Sequence, residues 1–169
     1  GGTVLIIDMH NEYGRVAGDK TREVAPKVHP AMLTLHELYR LLNLDEKASK
    51  QRLYLRKAYR ELTGKAVDRR EAEKFLDSLE AKLEELSRSR EVPARDRASI
   101  ADLLNKLYEL RERYEGTVLA VDAPTSIEAV VEPGKANVLK LGSVDEEVAD
   151  VVVSHYLDWL LRERKRFFA

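Results

Sequence analysis

The sequence predicts an α/β protein, a parallel sheet into which a helical bundle is inserted. Two observations predict it. Short apolar runs rich in β-branched residues stand near both ends of the chain, at 3–7, 117–122 and 137–142, and alternation of strands with helices is the pattern of a parallel sheet. Between the first two runs, residues 33–115 carry apolar residues at helical spacing, a block too long for an ordinary crossover connection.

Taken in order, Thr3-Val4-Leu5-Ile6-Ile7 is continuously apolar after its first residue, the look of a strand buried on both faces. Residues 9–32 are polar and carry Gly14, Gly18, Pro26 and Pro30, so they read as a connection, with short extended pieces at Val24 and Val28. From Leu33 the period becomes helical. Thr34 and Glu37 have capping-box spacing ahead of Leu38, Leu41 and Leu42. A second helix is expected from about Asp45 to Thr63, closed by Gly64, and a third from Asp68 to about Arg90 with Ala72, Phe75, Leu76, Leu79, Leu83 and Leu86 inward. Pro93 ends that stretch, and a fourth helix is expected from about Arg95 to Glu115, closed by Gly116. Thr117-Val118-Leu119-Ala120-Val121-Asp122 then reads as a second strand, Thr125 and Glu128 as the cap of a short helix over 126–131, and Asn137–Gly142 as a third strand. Ser143 and Glu146 have capping-box spacing before a last helix from about Val144 to beyond Arg164, with Val148, Val151, Val152, His155, Tyr156, Trp159 and Leu160 on its buried side.

Composition narrows the function classes. The 169 residues fit one domain with a sizeable insertion, 35% of them are charged, and the net charge is only −1. Dense but balanced charge means solvated helix faces and not a basic nucleic-acid sleeve. Accordingly, the clusters Arg56-Lys57 and Arg69-Arg70 read as solvated faces, with a DNA or partner contact as the lesser alternative, and Arg162, Arg164, Lys165 and Arg166 as basic residues favoured at a helix C-terminus before a phosphate contact. There is no cysteine, which removes disulfides and thiolate chemistry and suits an intracellular, cytoplasmic setting. No apolar run approaches the ~20 residues of a membrane span.

Chemistry is expected at Asp8-Met9-His10-Asn11-Glu12-Tyr13, because ligands in open α/β sheets sit outside the carboxyl ends of strands. Three readings compete. Asp-x-His after an apolar strand is the first motif of metallophosphoesterases, but no Asn-His pair exists to complete that set, and His29, His36 and His155 lack ligand spacing. In the plainest reading Asp8 only ends a strand before a solvated loop. In the third, the segment contributes to a nucleotide site.

The run VLIIDMHNEYG resembles the VLIxDPHGEY segment of the HerA/FtsK superfamily, archaeal and bacterial DNA-translocating ATPases. The later run VVEPGKANVLKLGSVDEEVADVVVSHYLDWLLRERKR resembles a second segment of that family, a Pro/Gly turn, a strand and a long helix, with a helical bundle between the two. Met9 stands where the family usually has Pro, and Asn11 where it usually has Gly. The resemblance implies a partial RecA-like core at 1–32 and 116–169 around an inserted bundle at 33–115. It further implies ATP and Mg²⁺ as cofactors of an intact parent, double-stranded DNA and a nuclease as its partners, and a ring-forming homo-oligomer. By the same resemblance Asp8 and Glu12 would be catalytic, facing the γ-phosphate, magnesium or attacking water, and His10 would assist at the nucleotide, bonded to Glu12 or a neighbouring subunit. Tyr13 reads equally as packing.

No G-x-x-x-x-G-K-[ST] loop occurs in these residues, and no four-residue apolar run ends in Asp-Glu. Both motifs are needed to grip a triphosphate and its metal, so this polypeptide is expected to be a fragment that does not hydrolyse ATP alone. The leading Gly1-Gly2 is read as a cloning or processing remnant. A reading of another class is a non-catalytic helical interaction or oligomerisation module on a small α/β scaffold.

Overall fold

The computed structural model describes residues 2–12, 20–66 and 68–168, with side chains to Glu163. Tyr13, Gly14, Gly18 and Asp19 lie outside the described residues. The chain divides into two compact units, one made of residues 1–28 with 122–169, the other of residues 29–121.

In the first unit, strands β1 (Val4–Asp8) and β2 (Thr21–Val24) both pair in parallel with a strand that comes more than a hundred residues later, β3 (Ala136–Lys140), giving the order β1-β3-β2. The register sets Ile6 beside Val138, Ile7 beside Leu139 and Asp8 beside Lys140 on one side, and Val24 beside Leu139 on the other. The central strand is the buried one, with Asn137, Val138 and Leu139 at its heart. β1 differs from expectation. It was to be buried on both faces, yet Val4 is 49% exposed and Leu5 to Ile7 are half-buried, because β1 is an edge strand among the described residues. Only Asp8, at its far end, is buried.

The second unit opens on a 3₁₀ turn at Pro30–Met32, capped by the His29 imidazole, whose Nδ1 accepts the Ala31 N–H. Helix α1 (Leu35–Leu41) carries the expected capping box, Thr34 Oγ1 accepting from the Glu37 N–H and Glu37 from the Thr34 N–H. Helix α2 (Ser49–Thr63) begins four residues later than expected. Asp45 turns its carboxylate onto the Lys47 and Ala48 N–H groups, an alternative to helix that short acidic side chains offer the backbone. The expected third helix is two, α3 (Arg69–Glu73) and α4 (Phe75–Arg88), separated where Lys74 leaves helical geometry at ψ 17°. Helix α5 (Arg97–Tyr114) packs with α2 and α4 around Leu55, Leu79, Leu83, Ile100, Leu103 and Leu107, all fully buried. Beside this core the Arg111 guanidinium gathers Asp77, Glu80 and Glu115, which hold its pKa above the ordinary arginine value; the Glu115 hydrogen bond is the largest cause.

The strand expected at 117–122 does not form. Gly116, at φ +90°, turns the chain back, and its N–H bonds the Leu119 carbonyl while the Leu119 N–H bonds that of Tyr114. Val118, Leu119 and Ala120 are buried as a curl at the end of α5, a use of a short apolar run that periodicity does not distinguish from a strand.

Returning to the first unit, helix α6 (Ile127–Val130) is capped by Ser126 and not by Thr125. The Thr125 hydroxyl instead accepts the Lys27 N–H, and the Thr125 N–H bonds the Lys27 carbonyl. Helix α7 (Glu146–Phe168) starts two residues after the expected point, the Asp145 carbonyl accepting the Ala149 N–H. Val148, Ala149, Val151, Val152, His155 and Tyr156 form its buried side. The Tyr156 hydroxyl donates toward the Lys27 and Thr125 carbonyls, and burial pushes its pKa up to about 12.

Candidate functional site

Asp8 is the last residue of β1 and is 1% exposed. A carboxylate in such a place needs hydrogen-bond donors, and the following loop supplies them. Asp8 Oδ1 accepts the His10 N–H at 3.2 Å and the Glu12 N–H at 3.0 Å. The chain folds around the carboxylate and leaves His10, Asn11 and Glu12 exposed. Their placement at the carboxyl edge of the sheet follows from the strand that precedes them.

The loop needs one residue in the left-handed region, and Asn11 occupies it at φ 57°. Asparagine is among the few side-chain-bearing residues that take this conformation readily, which accounts physically for Asn in a position where a resembling segment carries Gly. Gly142, just beyond β3, meets this residue. A Cβ at Gly142 would fall 2.4 Å from the Asn11 carboxamide. The bare backbone at 142 therefore gives the Asn11 side chain its place. The ladder itself runs on past the strand, the Leu141 N–H bonding the Asp8 carbonyl at 2.9 Å.

Lys140, paired in register with Asp8, lies 3.4 Å from the Glu23 carboxylate of β2. The carboxyl edge thus brings together Asp8, Lys140 and Glu23, with His10 and Glu12 on the adjoining loop. Among the described residues no hydrogen bond joins the His10 imidazole to the Glu12 carboxylate, and no group of three or more His, Asp or Glu could hold a metal ion. Asp8, His10 and Glu12 were singled out from the sequence. Lys140, Glu23 and Gly142 were not singled out.

Behind the edge sits a second polar centre that the sequence reading passed over. Asn137, fully buried in β3, has Nδ2 3.1 Å from each of the Val4, Glu132 and Lys135 carbonyls. Its Oδ1 accepts the Glu132 N–H at 2.9 Å and Arg22 Nη1 at 3.2 Å. Arg22 also pairs with Glu132 at 3.1 Å. The signal available was an amide directly before the apolar pair Val138-Leu139.

The profile of the family described as "Helicase HerA, central domain" matches residues 1–160. The chain belongs to this family. It is 34% identical over 99% of its length to the DNA double-strand break repair helicase HerA of Saccharolobus solfataricus. It is 30% identical over 98% to the helicase of that name from Sulfolobus acidocaldarius. A probable helicase of Methanocaldococcus jannaschii is 28% identical over 97% of the chain. The chain spans about a third of the length of these relatives, 34%, 34% and 32% respectively.

Proposed function

We propose that this chain is the central portion of an ATP-driven helicase or translocase acting on double-stranded DNA. In its intact form that motor would be a ring of identical subunits working with a nuclease in DNA end processing. Family membership supports the class of motor, and the names of the relatives support DNA repair as the setting. The observation that carries the site is the buried Asp8 carboxylate holding two amides of the loop that presents Glu12.

The division of labour follows from exposure. Asp8, turned inward, acts as a positioning residue for the loop. Glu12, exposed at the strand end, is the group free to orient an attacking water, the role a carboxylate or amide plays in nucleoside triphosphatases. His10 stands on the same exposed rim. The residues present do not make a nucleotide-gripping or metal site by themselves. Asp8 Oδ1 is committed to backbone, a lone Glu12 is too few ligands for an octahedral Mg²⁺, and no phosphate-cradling Gly-Lys-Ser/Thr loop lies in these residues. ATP and Mg²⁺ would need ligands other than these.

The test is kinetic, in the full-length protein that carries this segment. Glu12→Ala, which leaves neither carboxylate nor amide to orient the water, is expected to lower kcat for ATP hydrolysis at least tenfold, about 1.4 kcal/mol or more in the barrier, with KM for ATP little changed. Asp8→Asn keeps an acceptor oxygen but loses the charge that strengthens both amide bonds, and a fall of at least tenfold is expected there as well. Unchanged turnover in both variants would remove the assignment.

A further inference from the structure

The balanced charge of the whole chain conceals one stretch that is not balanced. From Lys47 to Lys65 there are seven basic residues, Lys47, Lys50, Arg52, Arg56, Lys57, Arg60 and Lys65, against one acid, Glu61. The structure winds most of this stretch into α2 and buries Tyr54, Leu55 and Ala58 on its inner side. The cations are thereby left on the outer side. Lys47, Lys57, Arg60 and Lys65 are exposed and Arg56 is half-buried. The one acid is already neutralised, since Glu61 lies 2.5 Å from Lys82 of α4.

Two of the seven are spoken for. Lys50 pairs with the buried Asp96 at 2.6 Å, and Arg52 bonds the Leu44 carbonyl and stacks on Tyr39. Lys47, Arg56, Lys57, Arg60 and Lys65 have no acidic partner among the described residues. Arg56 and Arg60 are one helical turn apart, and Lys57 lies between them with its ammonium 5.4 Å from the centre of the Tyr54 ring, which steadies its stem. At the start of the stripe, Lys47, Lys50, Gln51 and Ser99 help line an open hollow of about 310 Å³.

We propose that this outer face of α2 is a contact surface for the phosphate backbone of duplex DNA. The inference rests on the reading of the protein as a DNA motor and adds to it where on this chain DNA is touched. Charge complementarity selects the occupant. From Lys50 to Arg60 the helix spans roughly 15 Å at about 1.5 Å per residue, which matches about four phosphates of one strand at ~3.4 Å each. No aromatic ring stands exposed along the stripe for base stacking; Tyr54 is buried and Tyr59 half-buried. The surface therefore suits a regular backbone and not unstacked bases.

The experiment compares duplex binding by the full-length protein and by its Arg56→Gln/Lys57→Gln/Arg60→Gln variant across a salt series, read by fluorescence anisotropy. Loss of three phosphate contacts should flatten the slope of log affinity against log salt by about 2.7 and weaken binding at least tenfold near 0.1 M salt. Arg56→Lys/Arg60→Lys keeps the charges and should keep affinity within about threefold, which separates lost charge from lost fold. Equal affinity and slope for wild type and the neutralised variant would overturn this surface while leaving the motor reading intact. So would loss of an acidic protein ligand with duplex affinity retained. A wild-type protein with no duplex affinity at all would overturn both.

Discussion

Replacing Asn137 with alanine should unfold the first unit more readily than any exposed change of similar size. The side chain has two N–H donors facing three carbonyls, so it donates two bonds at a time, and its oxygen accepts two more, one from a guanidinium. At about 1 kcal/mol for each neutral bond and somewhat more for the charged one, the expected loss is about 3–5 kcal/mol. That is a large part of the roughly 5–15 kcal/mol that holds a typical domain together. The assay is urea unfolding of the purified protein, followed by far-UV circular dichroism, with the midpoint and slope fitted separately. Asn137→Asp sharpens it. The introduced carboxylate keeps the acceptor for Arg22 but turns an acceptor toward the Val4, Glu132 and Lys135 carbonyls. It should be at least as damaging at neutral pH and should partly recover as the pH falls and the carboxyl regains a proton. A loss below about 1 kcal/mol for the alanine variant, or an aspartate variant as stable as wild type at neutral pH, would refute the claim that this amide organises the sheet.

Three further outcomes are expected. Gly142→Ala places a Cβ 2.4 Å from the Asn11 carboxamide, the far end of an exposed side chain that can turn away, and should cost less than about 1 kcal/mol; a larger loss in urea midpoint would show that the Asn11 side chain is fixed in its place over residue 142. His29 titrates below its ordinary 6.5 because burial disfavours the cation, with Glu73 opposing. The unfolded chain therefore takes up that proton first, so the His29 contribution is complete above pH 6.5 and is lost as pH falls below it. His29→Asn, which keeps a capping acceptor, should flatten the fall in urea midpoint between about pH 7 and 5, and an unchanged profile would count against it. Tyr156→Phe removes the hydroxyl shared by the Lys27 and Thr125 carbonyls and should lower stability by about 1–2 kcal/mol; no measurable change in thermal midpoint would contradict that.

The helices were legible because their evidence is local. The stripes of α4 and α5 and the Thr34–Glu37 box can be read within a dozen residues. The strands depended on partners far away. VLIID at 4–8 and TVLAVD at 117–122 look alike, but only the first finds β3 beside it, while Gly116 folds the second onto its own helix. β2 was nearly invisible, since Thr21-Arg22-Glu23-Val24 has one clearly apolar residue. It is a strand because β3 pairs with it and Arg22 is held by Glu132 and Asn137. In the candidate site Asp8 and Glu12 could be read from their position after an apolar run. The bond that makes Asp8 a loop-holder, and the fit of Asn11 over Gly142, depend on how the loop closes, which no residue spacing encodes.

The strand order has a consequence for synthesis. β1 and β2 both pair with β3 and not with each other, and β3 begins at residue 136. A ribosome adding about 5–20 residues per second needs roughly 6–22 seconds to travel from the end of β2 to the start of β3. Throughout that interval β1 and β2 wait for β3, the strand that pairs with both among the described residues, while the helical unit encoded between them and β3 can already fold. The helical unit of this chain can thus form before the described sheet gains its central strand, which begins at residue 136.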